Sequence, residues 1–426
     1  MKIINISILA TALTLMCQSC GGNVDKIVDE GITAYQSGDY VKAVELFTKA
    51  ADKGSAQGDL WLGRCYADGL GVKASEKKSF ELFEKASGNG NADAITELAN
   101  CYMHGLGTIK DNVKGRELML KSAEAGSLKG LATVGLWGIE GMAEIDQKKA
   151  VDYINQSAAG GEPLGIYGQG KLLATGIGSK RDLAGAVEKY RLADSLGSTE
   201  GTVEYAYTLY NGAGTVRNPE KAFKLFEKAA NEGNPAGNAG MGMCYYEGNG
   251  VSRNHAKAVD NFKKAEGRSD PAGQWWLGKC YFYGDGVIKS EAKAIEFYKA
   301  AAEQGYAPAE FSLAYCYEHG IGVPYNRDKA LALYTHSAEV GYAPAQTNLG
   351  IIYYRGDLKL AKNEKEAFEW FNRAAESGDN AAMFNLYKCY MDGIGTQPNT
   401  EKAMQWLNTA AEAGNEQAVE IINKMQ

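Results

Sequence analysis

A glycine returns along this chain at a nearly constant distance. Gly54, Gly90, Gly126, Gly161, Gly197, Gly233, Gly305, Gly341, Gly378 and Gly414 are separated by 36, 36, 35, 36, 36, 72, 36, 37 and 36 residues. Ser269 stands where the doubled interval should hold its glycine. A second marker, Gly-x-Gly, keeps the same phase at 69–71, 105–107, 176–178, 212–214, 248–250, 284–286, 320–322 and 393–395. A third is the ending before each closing glycine, as in Phe47-Thr48-Lys49-Ala50-Ala51 and Phe226-Glu227-Lys228-Ala229-Ala230. A unit of this length cannot bury an apolar face alone, so the period confines the chain to stacked repeats. The 52 glycines against 8 prolines then read as repeated helix ends, not as a disordered linker.

Each unit reads as a pair of helices. In residues 270–305, Ala272, Leu277, Cys280 and Tyr281 share one face of a first helix. Gly284-Asp285-Gly286 ends it, because glycine takes the left-handed conformation beyond a helix C-terminus at little cost. Ser290 is placed to cap the second helix, whose apolar face is Ala294, Phe297, Tyr298 and Ala301. Small Gly278 and Ala301 allow the two helices to approach closely. Lys279, outside the repeat signature, is expected to be exposed.

The run Leu-Gly-x-x-Tyr-x-x-Gly-x-Gly-Val, then Lys-Ala, then Lys-Ala-Ala-x-x-Gly resembles the Sel1-like repeat, a relative of the tetratricopeptide repeat. Leu277-Gly278-Lys279-Cys280-Tyr281, Gly286-Val287, Lys293-Ala294 and Lys299-Ala300-Ala301 carry the match. The resemblance implies an all-α fold, a right-handed α-α superhelix (solenoid) of about ten helix-pair repeats. Residues 56–414 are expected to form that solenoid. Residues 25–55 look like a plain tetratricopeptide-type hairpin, with the short turn Ser37-Gly38-Asp39, and residues 415–426 read as one capping helix. Residues 127–161 depart from the pattern, with Gly138 where Tyr is expected. Residues 342–378 carry a one-residue insertion near Gly356-Asp357-Leu358-Lys359.

The N-terminus reads as an address. Lys2 is followed by a mostly apolar run from Ile3 to Met16, too short to span a bilayer, which needs about 20 residues, and typical of a secretory signal. Ser19-Cys20-Gly21 directly after it resembles the lipobox of bacterial lipoproteins. That resemblance implies a signal peptide at 1–19, lipidation at Cys20 and a tether at 20–24. The expected location is therefore the bacterial cell envelope, at the outer membrane on its periplasmic or surface face, with contact to the bilayer through the lipid anchor only.

Catalytic signals are weak. Cys65, Cys101, Cys244, Cys280, Cys316 and Cys389 recur at one register position. Neighbouring stacked helices lie about 8–10 Å apart, too far for a disulfide, so these six are expected to be buried free thiols. None has a C-x-x-C partner for a metal, and the four histidines form no ligand pair. Ser75-Glu76-Lys77-Lys78 and Ser290-Glu291-Ala292-Lys293 match S-x-x-K, but both stand at helix starts, and no K-T-G or S-D-N accompanies them. Catalysis, cofactors and metals are therefore not expected. With a net charge of −7 the chain is also a poor ligand for nucleic-acid phosphates.

What the repeat does not require is a stripe of aromatic residues in the C-terminal half. By analogy with tetratricopeptide grooves, Tyr207, Tyr210, Tyr246, Trp275, Lys279, Phe282, Tyr283, Phe311, Tyr315 and Tyr354 would line a concave surface. Met243, Phe384 and Met391 fall on the same positions. Rigid aromatics give large contact area at low entropic cost, so this groove is the candidate site for proteins or peptides. The same rings could instead pad the stacking of adjacent first helices. The family resemblance implies a non-catalytic scaffold for protein complexes. A cell-envelope hydrolase, or an inhibitor or receptor for secreted enzymes or glycans, would be the rival readings.

Overall fold

The computed structural model describes residues 22–425, so Cys17, Cys20 and the apolar run before them lie outside the described residues. Within that span the chain forms 23 helices and no strands, from Gly22–Gln36 to Glu416–Met425. The described residues fall into two compact units, one up to Arg217 and one from Asn218 onward. In each, consecutive helices pack as antiparallel pairs, and each pair leans on the next. At the start of the described chain Gly22–Gln36 and Tyr40–Asp52 are joined through Ser37-Gly38-Asp39, and the last described helix is Glu416–Met425. The first helix begins at Gly22, inside the stretch expected to be tether, and Asp25 in its first turn suits the positive end of a helix dipole.

The helix ends follow the local chemistry of the sequence. Ser290 Oγ accepts from the Lys293 amide and Ser75 Oγ from the Lys78 amide, so both S-x-x-K strings are N-caps. First helices stop at a left-handed glycine such as Gly69, Gly284 or Gly393. Ser269, in place of the missing turn glycine, still takes φ +60°, so the turn geometry is kept at some conformational cost.

The second glycine of Gly-x-Gly has a different role. A β-carbon on Gly107 would stand 2.2 Å from the carbonyl oxygen of Glu76, and one on Gly395 would stand 2.0 Å from that of Glu364. Both carbonyls belong to the first turn of the preceding repeat's second helix. The loop is thus pressed onto the previous repeat, and only a residue without a side chain permits it. The repeat with the insertion reaches the same place differently. Leu358 and Lys359 take left-handed φ values, Leu358 is buried in the core, and Lys359 Nζ lies 2.8 Å from Asp328.

Inside each pair the contact is as tight as the small residues imply. A β-carbon on Gly278 would stand 2.5 Å from the Tyr298 ring. Gly138 is explained in the same way, since a β-carbon there would stand 2.3 Å from Ile145. The six repeat cysteines are all buried and unbridged. Burial raises the thiols of Cys65 and Cys101 to about 11 and those of Cys244, Cys280, Cys316 and Cys389 to about 12, so they are protonated packing groups at neutral pH.

Candidate functional site

First helices of neighbouring repeats approach one another directly, Ala92–His104 with Leu128–Ile139 in one unit and Pro235–Glu247 with Pro271–Tyr283 in the other. Further along the second unit the first helices meet through side chains, as Trp275 does with Ser312 of Ala307–His319, so the first helices together make up one layer of each unit. The expected groove residues all stand on this layer, but they differ sharply in accessibility. Tyr283, Tyr315 and Tyr354 are 62%, 42% and 39% exposed. Tyr207, Tyr246, Trp275, Lys279, Phe282 and Phe311 are half-buried.

Tyr210 is a correction. It is only 4% exposed, with the Arg217 guanidinium 6.0 Å from its ring and Arg217 Nε donating to its carbonyl, so it is not a surface contact. Tyr207 and Tyr210 belong to the first unit, and the remaining eight to the second.

Trp275 and Phe282 are less free than their place outside the repeat signature suggested. Trp275 Nε1 donates to Ser312 Oγ of the next repeat at 2.9 Å, and its ring meets Trp276 at 4.8 Å. Both Trp275 and Phe282 pack against the core cluster that contains Tyr298, Leu313 and Tyr334, as does Phe311. Part of the stripe is therefore stacking material, with Met243 and Phe384 buried as well, and the exposed part is the three tyrosines and Met391. Tyr315 also carries His319 stacked on it at 4.2 Å.

Around Lys279 several of the expected residues come together. Its ammonium lies 4.5 Å from the Trp276 ring, 5.3 Å from Tyr246 and 5.5 Å from Trp275. This corrects the expectation of an exposed lysine. Burial lowers its pKa, while Glu247 and Asp285 act in the opposite direction. Tyr246 Oη donates to Asp285 at 2.6 Å, and His255 stacks on Tyr246 with its Nδ1 3.5 Å from the same carboxylate. Burial first, then the hydrogen bond to Asp285, raises the Tyr246 phenol above its ordinary value.

Sequence reasoning missed Trp276 and Trp61. They occupy the same register position, one residue before the repeat leucine, in helices Pro271–Tyr283 and Ala56–Asp68. Trp276 stacks on Phe262 at 5.3 Å, and Trp61 stacks on Phe47 at 5.7 Å. A cation three residues on, Lys279 or Arg64, covers each indole. The available signal was a Trp at a position that is glycine in Gly168 and Gly240.

Among the described residues no group of three or more His, Cys, Asp or Glu side chains could hold a metal ion. No helix among them is long and apolar enough to cross a membrane.

Fold and surface together define a helical repeat protein of the kind generally used for protein–protein interaction. The chain belongs to the Sel1 repeat family. The family model matches residues 29–55, 56–91, 92–127, 130–162, 199–234, 235–266, 271–306, 307–342, 343–379 and 380–415. The N-terminal hairpin thus counts as a repeat of this family. The pair Pro163–Thr175 and Leu183–Ser195 folds in the same way but lies outside the matched spans.

Among solved structures, c5321, a protective antigen of uropathogenic Escherichia coli with an SLR fold, is 30% identical over 87% of this chain and 79% of that one, with a TM-score of 0.40. A Sel1 repeat protein from Oxalobacter formigenes is 28% identical over 73% of this chain and 90% of that one, with a TM-score of 0.43. The immunity protein Pa5087 of Pseudomonas aeruginosa is 24% identical over 50% and 81%, with a TM-score of 0.40. No curated protein was found to match.

Proposed function

We propose that this protein is a non-catalytic scaffold, lipid-anchored in a bacterial cell envelope, that holds protein partners on the first-helix layer of its second unit. The observation that carries the reading is the exposure of Tyr283, Tyr315 and Tyr354 on successive first helices of the second unit. Exposed tyrosines on a rigid support bring contact area and a hydrogen-bonding hydroxyl with few rotamers to freeze. Retaining partners from crosslinked cell envelopes on wild-type protein and on the triple variant Y283A/Y315A/Y354A tests it. Each substitution alone should cost within about 1 kcal/mol of stability, because the side chains are largely solvated. Together they should weaken partner binding about thirty-fold or more. Equal retention of the same partners by both forms would overturn the groove.

The anchor is supported by Ser19-Cys20-Gly21 after the apolar run. Two or more acyl chains give stable attachment, whereas one is marginal. Cys20→Ala is expected to move the protein from the detergent phase to the aqueous phase. An unchanged partition would remove the lipid anchor from the proposal.

A further inference from the structure

The chain contains one arrangement twice, once completed and once not. In the first unit, Phe47, Trp61 and Arg64 form a stack of ring, indole and cation. Glu97, on the next first helix, completes it. Its Oε1 accepts from Arg64 Nε at 3.0 Å and from Nη2 at 2.8 Å. In the second unit, Phe262, Trp276 and Lys279 occupy the same register positions with the same stacking. The position of Glu97 is held there by Ser312, whose hydroxyl already accepts from Trp275 and donates to the Pro308 carbonyl.

Lys279 is therefore a half-buried ammonium with three aromatic neighbours and no carboxylate within ion-pair distance. The two carboxylates that act on it electrically are committed elsewhere. Asp285 holds Tyr246 Oη and His255, and Glu247 accepts from Asn249 at 3.1 Å. Aromatic faces favour a cation, but they accept none of its hydrogen bonds with the strength of a carboxylate. A partly desolvated ammonium gains most from a charge-assisted partner, because surrounding water screens it less. The layer on which it stands also presents Tyr283 and Tyr315.

We propose that Lys279 is a carboxylate-binding site for a peptide lying on this layer, with the bound acid taking the place that Glu97 holds at Arg64. The inference rests on the peptide-binding reading of the second unit. The acid is either an Asp or Glu side chain or a C-terminal carboxylate.

The test uses random decapeptide pools offered to the full chain. One pool has free C-termini, one is amidated, and one lacks Asp and Glu. Wild-type protein should enrich acidic residues from the amidated pool, or should retain peptides only where their C-termini are free, which separates the two sources. The best peptides should bind K279Q about tenfold more weakly and K279R nearly as well as wild type. S312E should also lose about tenfold, because it supplies the carboxylate from within the chain. K299Q, an equal charge change on the exposed side of the second helix, should change little. Circular dichroism establishes that each variant is folded.

Peptides selected without any carboxylate, or acidic peptides bound equally by wild type and K279Q, would overturn the Lys279 site. If those same peptides are lost on Y283A/Y315A/Y354A, the groove stands while the Lys279 site falls. Wild-type protein that retains no peptide from any pool would overturn both.

Discussion

Gly107→Val is expected to destabilise the first unit by about 3 kcal/mol, combining roughly 1–2 for a side chain held left-handed with a further 1–3 for overpacking. The clash is with the Glu76 carbonyl, 2.2 Å from the new β-carbon, and a helix-start backbone cannot swing aside as a side-chain tip can. Gly90→Ala provides the contrast. It shares the left-handed conformation, at φ +82°, but no atom lies within 4 Å of its β-carbon. It should therefore cost only the conformational part, about 1 kcal/mol. Denaturant unfolding of the two variants separates the terms. Because repeats couple chiefly to their neighbours, hydrogen exchange in Gly107→Val should rise in a block around residues 76–124 and leave the second unit protected. A uniform rise along the chain would contradict nearest-neighbour coupling.

The second large effect is expected at Trp276. Its indole is 6% exposed, stacked on Phe262 and covered by Lys279, so Trp276→Ala opens a cavity and removes the shield of the ammonium. A loss of about 3–5 kcal/mol is expected, measured by denaturant titration. Tyr283→Ala, on the same helix at 62% exposure, should stay within about 0.5 kcal/mol. Equal losses would mean that the Tyr283 ring packs as tightly as that of Trp276, and it would then no longer mark a binding surface. The comparison matters for function because a binding defect in a Trp275 or Phe282 variant would mix lost contacts with lost packing.

The positions of the helices were legible in the sequence because they follow from local chemistry. Ser290 caps, Gly284 terminates, and the spacing of Leu277, Cys280 and Tyr281 selects one face, all within a few residues. The buried thiols followed from the same periodicity. A position that recurs once per repeat on the packed face meets the same surroundings each time, and Cys280 and Cys316 are buried alike. Even the Ser269 turn was marked, since the period demanded a left-handed residue there and the chain supplies one.

What the sequence left open depends on contacts with the neighbouring repeat. Tyr210 and Tyr354 share a register position, yet one is buried and the other 39% exposed. Tyr210 is covered by Arg217. Lys279 and Arg64 likewise share a register position, and only the residue opposite, Ser312 or Glu97, determines whether the cation is paired. By itself the sequence determined the period, the helix pairs, their caps and the buried face, because these are set within one repeat. Only the tertiary structure decided which rings reach solvent and which cation has a carboxylate beside it. Those properties arise where residues about 30–40 positions apart meet across an interface, and each interface pairs a different set of side chains.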